Sequence, residues 1–369
     1  MKILHVTKKY PRALGGDAVV VANLQKHQQS AGHEVLIVTS NCNEIVSDAH
    51  VIKFGFKDTP ANLDAITFKR VASLIVLFFR MFALLKKHRP DVIHTHSIDM
   101  AFFASFAARF YGIPILHTFH IVTFYDHTQS ALRRKSELWL AKHAKLRRAT
   151  APNAHDVQKL QNAGLTQTVL LHNGVDMPFW EKASRRKNSS PFIFLAVGRL
   201  EPQKGYEYLI KAALLLSQTT PTAFRIVIVG EGSEKTALQN LIHSLCVEDI
   251  VSLVGRKNQN EIRALFSGAG AVVNPSLYET TPLTLLEAWA AAVPAIITPV
   301  GILRDVPADF NAAYIVPPKN EQALAQAMQT CMSDAPLRSA IAANGNTEVK
   351  KYTWPKIAKA TEAIYGSAQ

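Results

Sequence analysis

FIFLAVGRLEPQKGYEYLIKAALLL, Phe192–Leu216, holds the decisive pattern. Six apolar residues, Phe192–Val197, run into Gly198 and read as a buried strand. A polar loop with Pro202 and Gly205 follows, and apolar residues then recur at helical spacing through YLIKAALLL. FRIVIVG, IVSLVG, AVVNPS, PAIITPVG and AYIVP repeat the short apolar run downstream, with helical segments between most of them. Strands alternating with helices predict a parallel sheet covered on both faces.

The pattern also runs upstream of this stretch. KILHVT reads as a first strand, a Gly-Gly turn and a helix over about 17–31 follow, and EVLIVTS, DVIHTHS and IPILHTFH read as the next strands. EKASRRKNSSP, Glu181–Pro191, is polar without an apolar period and reads as a linker. The expectation is α/β throughout: two doubly wound parallel-sheet domains, over 1–180 and 191–353, joined by 181–190. Two such domains would face each other across a cleft at the carboxyl ends of their strands. WPKIAKATEAIYG predicts a last helix, about 354–369, packing back on the first domain.

Bulk composition agrees with a globular, two-domain chain: 369 residues, 48% hydrophobic and 19% charged. Cys42, Cys246 and Cys331 are too few and too scattered for a disulfide framework, which suggests a reducing, cytoplasmic setting. The apolar run in MKILHVTKKYP is too short for a signal peptide. The net charge of +13 is unevenly placed. Residues 1–190 hold 26 Lys+Arg against 13 Asp+Glu, whereas residues 191–369 hold 15 of each. An anionic partner for the first half follows: a membrane surface, nucleic acid or an acidic substrate. No nucleic-acid-binding module is recognisable.

ETTPLTLLE, Glu279–Glu287, is the stretch richest in chemistry. Thr281 reads as an N-cap and Pro282 as the first residue of a helix running through LTLLEAWAA. The helix start would offer free N–H groups and the positive dipole end to a phosphate. Glu279 in the loop and Glu287 in the helix could each accept hydrogen bonds from hydroxyls, as a nucleotide sugar would require. The same spacing fits a capped helix with two solvated acids. In GRLEPQKG, Arg199 and Lys204 follow a strand and could neutralise a diphosphate leaving group, or be surface charges. Gly15 and Gly16 would let backbone approach a ligand, though GxGxxG is absent.

His94, His96, His117, His120 and His127 cluster in sequence, and HTHSID invites a zinc reading. No further ligand set and no Asp-x-Asp support it, so no metal site is expected. A single histidine handling a proton near a reacting centre, or rings satisfied at strand ends, fits better. KRVASLIVLFFRMFALLKKHR, Lys69–Arg89, puts Lys69, Ser73, Arg80 and Lys87 on one side of a helix. Its apolar face would bury against the sheet or dock on lipid, and Arg80 interrupts any membrane span. ALRRKSELWLAKHAKLRR, Ala131–Arg148, has seven Lys/Arg and one acid and suits an anionic membrane surface.

Taken in order, GGDAVV, GHEVLIVTS, DVIHTHS, HTFH, HNGVD, VGRLEPQKG, IVGEGSEK, LVGR and PSLYETTPLTLLEA resemble the GT4 family of retaining glycosyltransferases, whose GT-B fold has two Rossmann-like domains. The resemblance runs over nearly the whole chain. It implies that Glu279 meets the hydroxyls of the donor sugar and Glu287 the ribose. Backbone N–H groups over Thr281, Pro282, Leu283 and Thr284 would meet sugar and phosphate, Pro282 itself contributing no N–H. It also implies that Arg199 and Lys204 hold the diphosphate, that Gly15 and Gly16 lie beneath the donor phosphates, and that the backbone at Arg256 lies near the base. His120 matches the histidine beside the reacting centre. The catalytic set implied is thus His120, Glu279, Arg199 and Lys204, acting without metal or other cofactor, with retention by front-face displacement.

Three positions depart from the family: Thr280 and Val293 (or Ala292) stand where glycine is usual, and Asp305 where glutamate is common. A β-branched residue disfavours positive φ, so Thr280 raises a question about its loop. The expected partners are a UDP or GDP sugar, a glycan or lipid-linked acceptor, and an anionic membrane at whose inner face the chain would sit as a peripheral monomer. A soluble transferase for a small acceptor and a non-catalytic nucleotide-sugar-binding protein are the alternatives.

Overall fold

The computed structural model describes residues 1–10, 16–41, 50–53, 68–122, 130–183 and 190–367. Gly15, Cys42, His127 and most of the expected linker lie outside the described residues. The chain divides into two compact units, Met1–Asn173 with Trp354–Gln369, and Gly174–Thr353.

The first unit contains, in order, β1 (Lys2–Lys9), α1 (Gly16–Ser30), β2 (Glu34–Asn41), β3 (Val51–Lys53), α2 (Phe68–His88), β4 (Val92–Thr95), α3 (Ile98–Tyr111), β5 (Ile115–Thr118), α4 (Ala131–His143), β6 (Arg148–Ala151), α5 (Ala154–Asn162) and β7 (Thr168–Leu170). Among the described residues its sheet runs β3-β2-β1-β4-β5-β6-β7, all parallel. One face packs Leu4, Val6, Leu36, Val38 and Ile93 against Leu77, Met81 and Leu85 of α2 and the alanines of α3. On the other face Ile3, Val35, Val92 and Leu116 meet Tyr365. The period of two along each strand creates these faces, and it places His5 and His94 with the second set.

The second unit begins with α6 (Met177–Trp180), so residues 174–180 fall here rather than with the first half. It continues through β8 (Phe192–Val197), α7 (Tyr206–Thr219), β9 (Phe224–Val229), α8 (Lys235–Ser244), β10 (Val251–Leu253), α9 (Gln259–Gly268), β11 (Ala271–Asn274), α10 (Leu283–Ala290), β12 (Ala295–Ile297), β13 (Tyr314–Ile315), α11 (Glu321–Ser333) and α12 (Ala335–Glu348). Its sheet runs β10-β9-β8-β11-β12-β13, again parallel. Both sheets therefore follow the doubly wound 3-2-1-4-5-6 order, and the expected fold class is the observed one. α13 (Trp354–Gly366) belongs to the first unit, where Trp354, Ile357 and Ala358 pack on Val20 and Leu24 of α1.

Reading the sequence missed three strands of the first sheet. β3, β6 and β7 are three or four residues long, and RATA, for β6, carries no run of large apolar side chains. The segment DVIHTHS accordingly supplies the fourth strand, not the third.

Candidate active site

In the second unit, the strand order reverses between β8 and β11, where open α/β sheets bind ligands. The loop after β8 carries Arg199 and a single 3₁₀ turn, Pro202–Lys204, closed by Gly205 in the left-handed region at φ 64°. A Cβ on Gly205 would sit 2.3 Å from the Pro275 carbonyl oxygen, so glycine is what lets this turn press on the loop after β11. The Leu277 N–H donates to the Gln203 carbonyl at 2.8 Å and ties the two loops together.

That closeness brings Lys204 to Glu279, 75 residues away in sequence: the ammonium donates to Glu279 Oε1 in a half-buried ion pair. The Ser276 hydroxyl, 3.0 Å from the same oxygen, adds a second donor. Tyr206 lies beneath; burial, then the charge of Glu279, push its hydroxyl well above the ordinary phenol range and keep it protonated. Arg199 is exposed and forms no ion pair among the described residues.

The start of α10 differs from the expectation. Pro282, at φ −71° and ψ 92°, is the N-cap itself, and no side chain caps the helix. Thr281 therefore does not cap: its Oγ1 is buried and has no hydrogen-bond partner among the described residues. Proline took the cap because its φ suits the half-in position and it has no N–H of its own to satisfy. The Thr284 hydroxyl donates instead to the Val197 carbonyl at 3.1 Å, pinning the helix start to the end of β8. With no capping side chain, the first N–H groups of the helix remain for an anion.

Glu287 sits one turn into α10 and is partly exposed. The protein around it strips enough water from the carboxyl to push its pKa up to about 7. A desolvated acid of this kind, like the orphaned Thr281 hydroxyl, gains when a ligand brings hydrogen-bond donors. Arg256 is exposed beside Gly255, whose carbonyl accepts from the Gly230 N–H at 3.0 Å.

The three departures resolve differently. Thr280 is not among the positive-φ residues, so its β-branch meets no strain there, and its carbonyl instead packs close to Gly301, where a Cβ would lie 2.6 Å away. Ala292, not Val293, occupies the glycine-favouring position, at φ 51° just after α10. Asp305 is exposed.

The first unit holds His120, whose ring is 3.0 Å, Nε2 to Nδ1, from His96. Burial lowers its pKa, and the charge of Asp17 at the start of α1 opposes that shift. Gly16, the first residue of the same helix, is exposed. His5, absent from the sequence-based cluster because it is alone in β1, joins His94 and His96 with ring nitrogens within 4.8 Å of one another. Every ring nitrogen of the three already has a hydrogen-bond partner. His117 is buried separately against Thr95 at 2.9 Å. Sequence reasoning also missed Ser276 and Asp17; a serine two residues beyond a strand end was the available signal for the first.

Comparison with known proteins supports the same view of the two units. A family model described as glycosyltransferase family 4 matches residues 14–178, and one described as glycosyl transferases group 1 matches residues 180–348. A glycogen synthase of Mycobacterium tuberculosis is 29% identical over 400 aligned positions, covering 100% of this chain and 95% of its own. Sucrose-phosphate synthase from Thermosynechococcus elongatus superposes with a TM-score of 0.82 at 20% identity, over 100% of this chain and 99% of that one. Anabaena HepE, solved in complex with UDP, gives 0.79 at 18% identity over the whole of both chains. With two contiguous family models spanning nearly the whole sequence and two parallel sheets of GT-B topology, the chain belongs to the GT4 family of glycosyltransferases.

Proposed function

We propose that the chain is a retaining hexosyltransferase that moves a sugar from UDP or GDP to a hydroxyl of a lipid-linked glycan in cell-surface polysaccharide or lipopolysaccharide synthesis. The observation that carries the donor half is the gathering, beyond the ends of β8 and β11, of the Lys204–Glu279 pair, Arg199, an uncapped helix start and the desolvated Glu287. In this reading Arg199, Lys204 and the N–H groups of α10 take up the charge that grows on the departing diphosphate. Glu279 orients the sugar hydroxyls and Glu287 the ribose. The bond from the anomeric carbon to phosphate oxygen breaks while the bond to the acceptor oxygen forms on the same face. The acceptor proton passes to the diphosphate, with His120 hydrogen-bonding at the reacting centre. No metal takes part in the chemistry.

Calorimetric titration with UDP, GDP and ADP, first with chelator and then with magnesium, tests the donor half. Saturable binding of UDP or GDP that is indifferent to metal is expected; failure of every nucleotide to bind overturns it. NMR of the product then reports whether the anomeric configuration is kept.

The acceptor half rests on the surface of the first unit. α2 exposes Ile75 and Phe79, α3 Phe106 and Phe110, and α4 Leu132 and Trp139. Ring contacts of 5.7 Å between Phe78 and Phe106 and of 5.4 Å between Phe102 and Trp139 join the three helices. Exposed Lys86, Arg109, Lys135 and Lys142 share the helical stripes of these apolar residues. Apolar rings flanked by cations fit an anionic lipid surface. Lys69 and Ser73, which the sequence placed with Arg80, have side chains outside the described set. Among the described residues no helix is long and apolar enough to cross a membrane. Flotation with vesicles should show binding that rises with anionic lipid, weakens with salt and is lost in a Phe79→Ser, Phe110→Ser double variant. Binding to neither vesicle type favours a soluble transferase with a small acceptor.

A further inference from the structure

A chain of buried rings leads from the interior of the first unit to His120. His5 Nε2 lies 2.8 Å from Gln28 Oε1, His5 Nδ1 2.9 Å from His96 Nε2, and His96 Nδ1 3.0 Å from His120 Nε2. Successive rings are nearly parallel and meet edge to edge, with interplanar angles of 20° for both His5 with His96 and His96 with His120. Gln28 is fully buried, and its amide nitrogen donates to Tyr365 Oη at 3.1 Å, which in turn lies 2.7 Å from His94 Nδ1.

A neutral imidazole has one N–H donor and one acceptor nitrogen. Burial pushes His5 down to about 4 and His96 well below its ordinary range, so both rings are neutral at physiological pH. The chain then leaves no choice of proton position. Gln28 Oε1 can only accept, so His5 carries its proton on Nε2 and accepts at Nδ1. His96 must donate from Nε2 and accept at Nδ1. His120 must donate from Nε2, which leaves its Nδ1 as the acceptor. Turning the Gln28 amide over would reverse every ring and put a proton on His120 Nδ1.

We propose that Gln28 is a positioning residue that sets the tautomer of His120 through His5 and His96, so that His120 presents Nδ1 as a hydrogen-bond acceptor. Only the use of that acceptor in sugar transfer rests on the function proposed above. The tautomer itself is a property of the free chain.

The test is two-bond ¹H–¹⁵N correlation on the full chain labelled in its histidines, at pH 8 and without substrate. In the wild type His5, His96 and His120 should each show a single tautomer protonated at Nε2. Gln28→Leu should lose that selection at His120, giving signals averaged between two tautomers. Gln28→Glu, whose carboxylate only accepts, should retain the single Nε2–H form. A wild-type His120 protonated at Nδ1, or a folded Gln28→Leu chain with an unchanged His120, overturns the proposal. Should Gln28→Leu not fold, the wild-type and Gln28→Glu spectra decide it. An enzyme that transfers no sugar would still give a readable tautomer, so the two proposals fail separately.

Discussion

Each unit gathers polar side chains near the strands flanking the reversal of its sheet, and the two gatherings are opposite in kind. In the second unit most are charged and partly buried, on loops or, for Glu287, in a helix, and among the described residues the Glu287 carboxyl and the buried Thr281 hydroxyl have no hydrogen-bond partner. In the first unit they are neutral rings and hydroxyls, mostly buried and bonded to one another: His94 Nε2 to Thr118 at 2.7 Å, and Thr118 to Thr150 at 2.7 Å. The same sheet order thus supports a cluster in which some groups lack partners and a network whose groups have them. An unsatisfied buried group destabilises the free protein and is relieved by a ligand, whereas a closed network stabilises one arrangement.

The sharpest way to break this contrast is Lys204→Ala. Turnover should fall by about 10²–10³-fold, the scale for losing one donor to a developing negative charge, with circular dichroism unchanged. Wild-type turnover would remove Lys204 from the site. Next is acid. The lowered histidines hold fewer protons folded than unfolded, so their stabilisation is present above about 6.5 and is lost as pH falls toward about 4, the value for His5. His5 alone represents on the order of 3 kcal/mol. Glu287 has the opposite sign: raised to about 7, it contributes most stability when protonated and loses it as pH rises through that value. Hydrogen exchange between pH 7 and 5 should therefore show the first unit loosening before the second. Equal loosening, or the reverse order, would end the distinction.

Glu287→Gln sharpens the second unit's side. Nucleotide affinity should drop roughly tenfold at pH 8, since a charge-assisted hydrogen bond contributes about 1.5–3 kcal/mol and the amide keeps part of it. Wild-type affinity should also decline below pH 7, and that slope should flatten in the variant; titrations at pH 6 and 8 compare them. The melting temperature of the variant, relative to wild type, should rise with pH. The smallest effect expected is from Ala292→Gly. Relief of the left-handed conformation at φ 51° against the greater freedom of glycine in the unfolded chain should leave a gain of up to about 1 kcal/mol, read from chemical denaturation. A loss would show that the Ala292 methyl packs usefully.

Much of the fold was legible because its signals are local. FIFLAV and FRIVIV announce strands by composition, and the glycines that end them announce loops. β3 and β7, three residues each, gave no such signal, because short strands are held by their neighbours in the sheet rather than by their own pattern. The cap of α10 was misread for a related reason: threonine is the better capping residue in general, but the Thr281 side chain is turned into the protein.

The sequence alone determined two alternating strand–helix series, the loops that carry Arg199 and Lys204, and the eight-residue spacing of Glu279 and Glu287 across a helix start. These depend on residues close together in the chain. Only the tertiary structure decided that Lys204 pairs with Glu279, and that Gln28, His5, His96 and His120 form one line while Tyr365 closes it from the last helix. Parallel strands bring together residues from distant segments, and a hydrogen bond depends on distance and direction in space, which no local periodicity records.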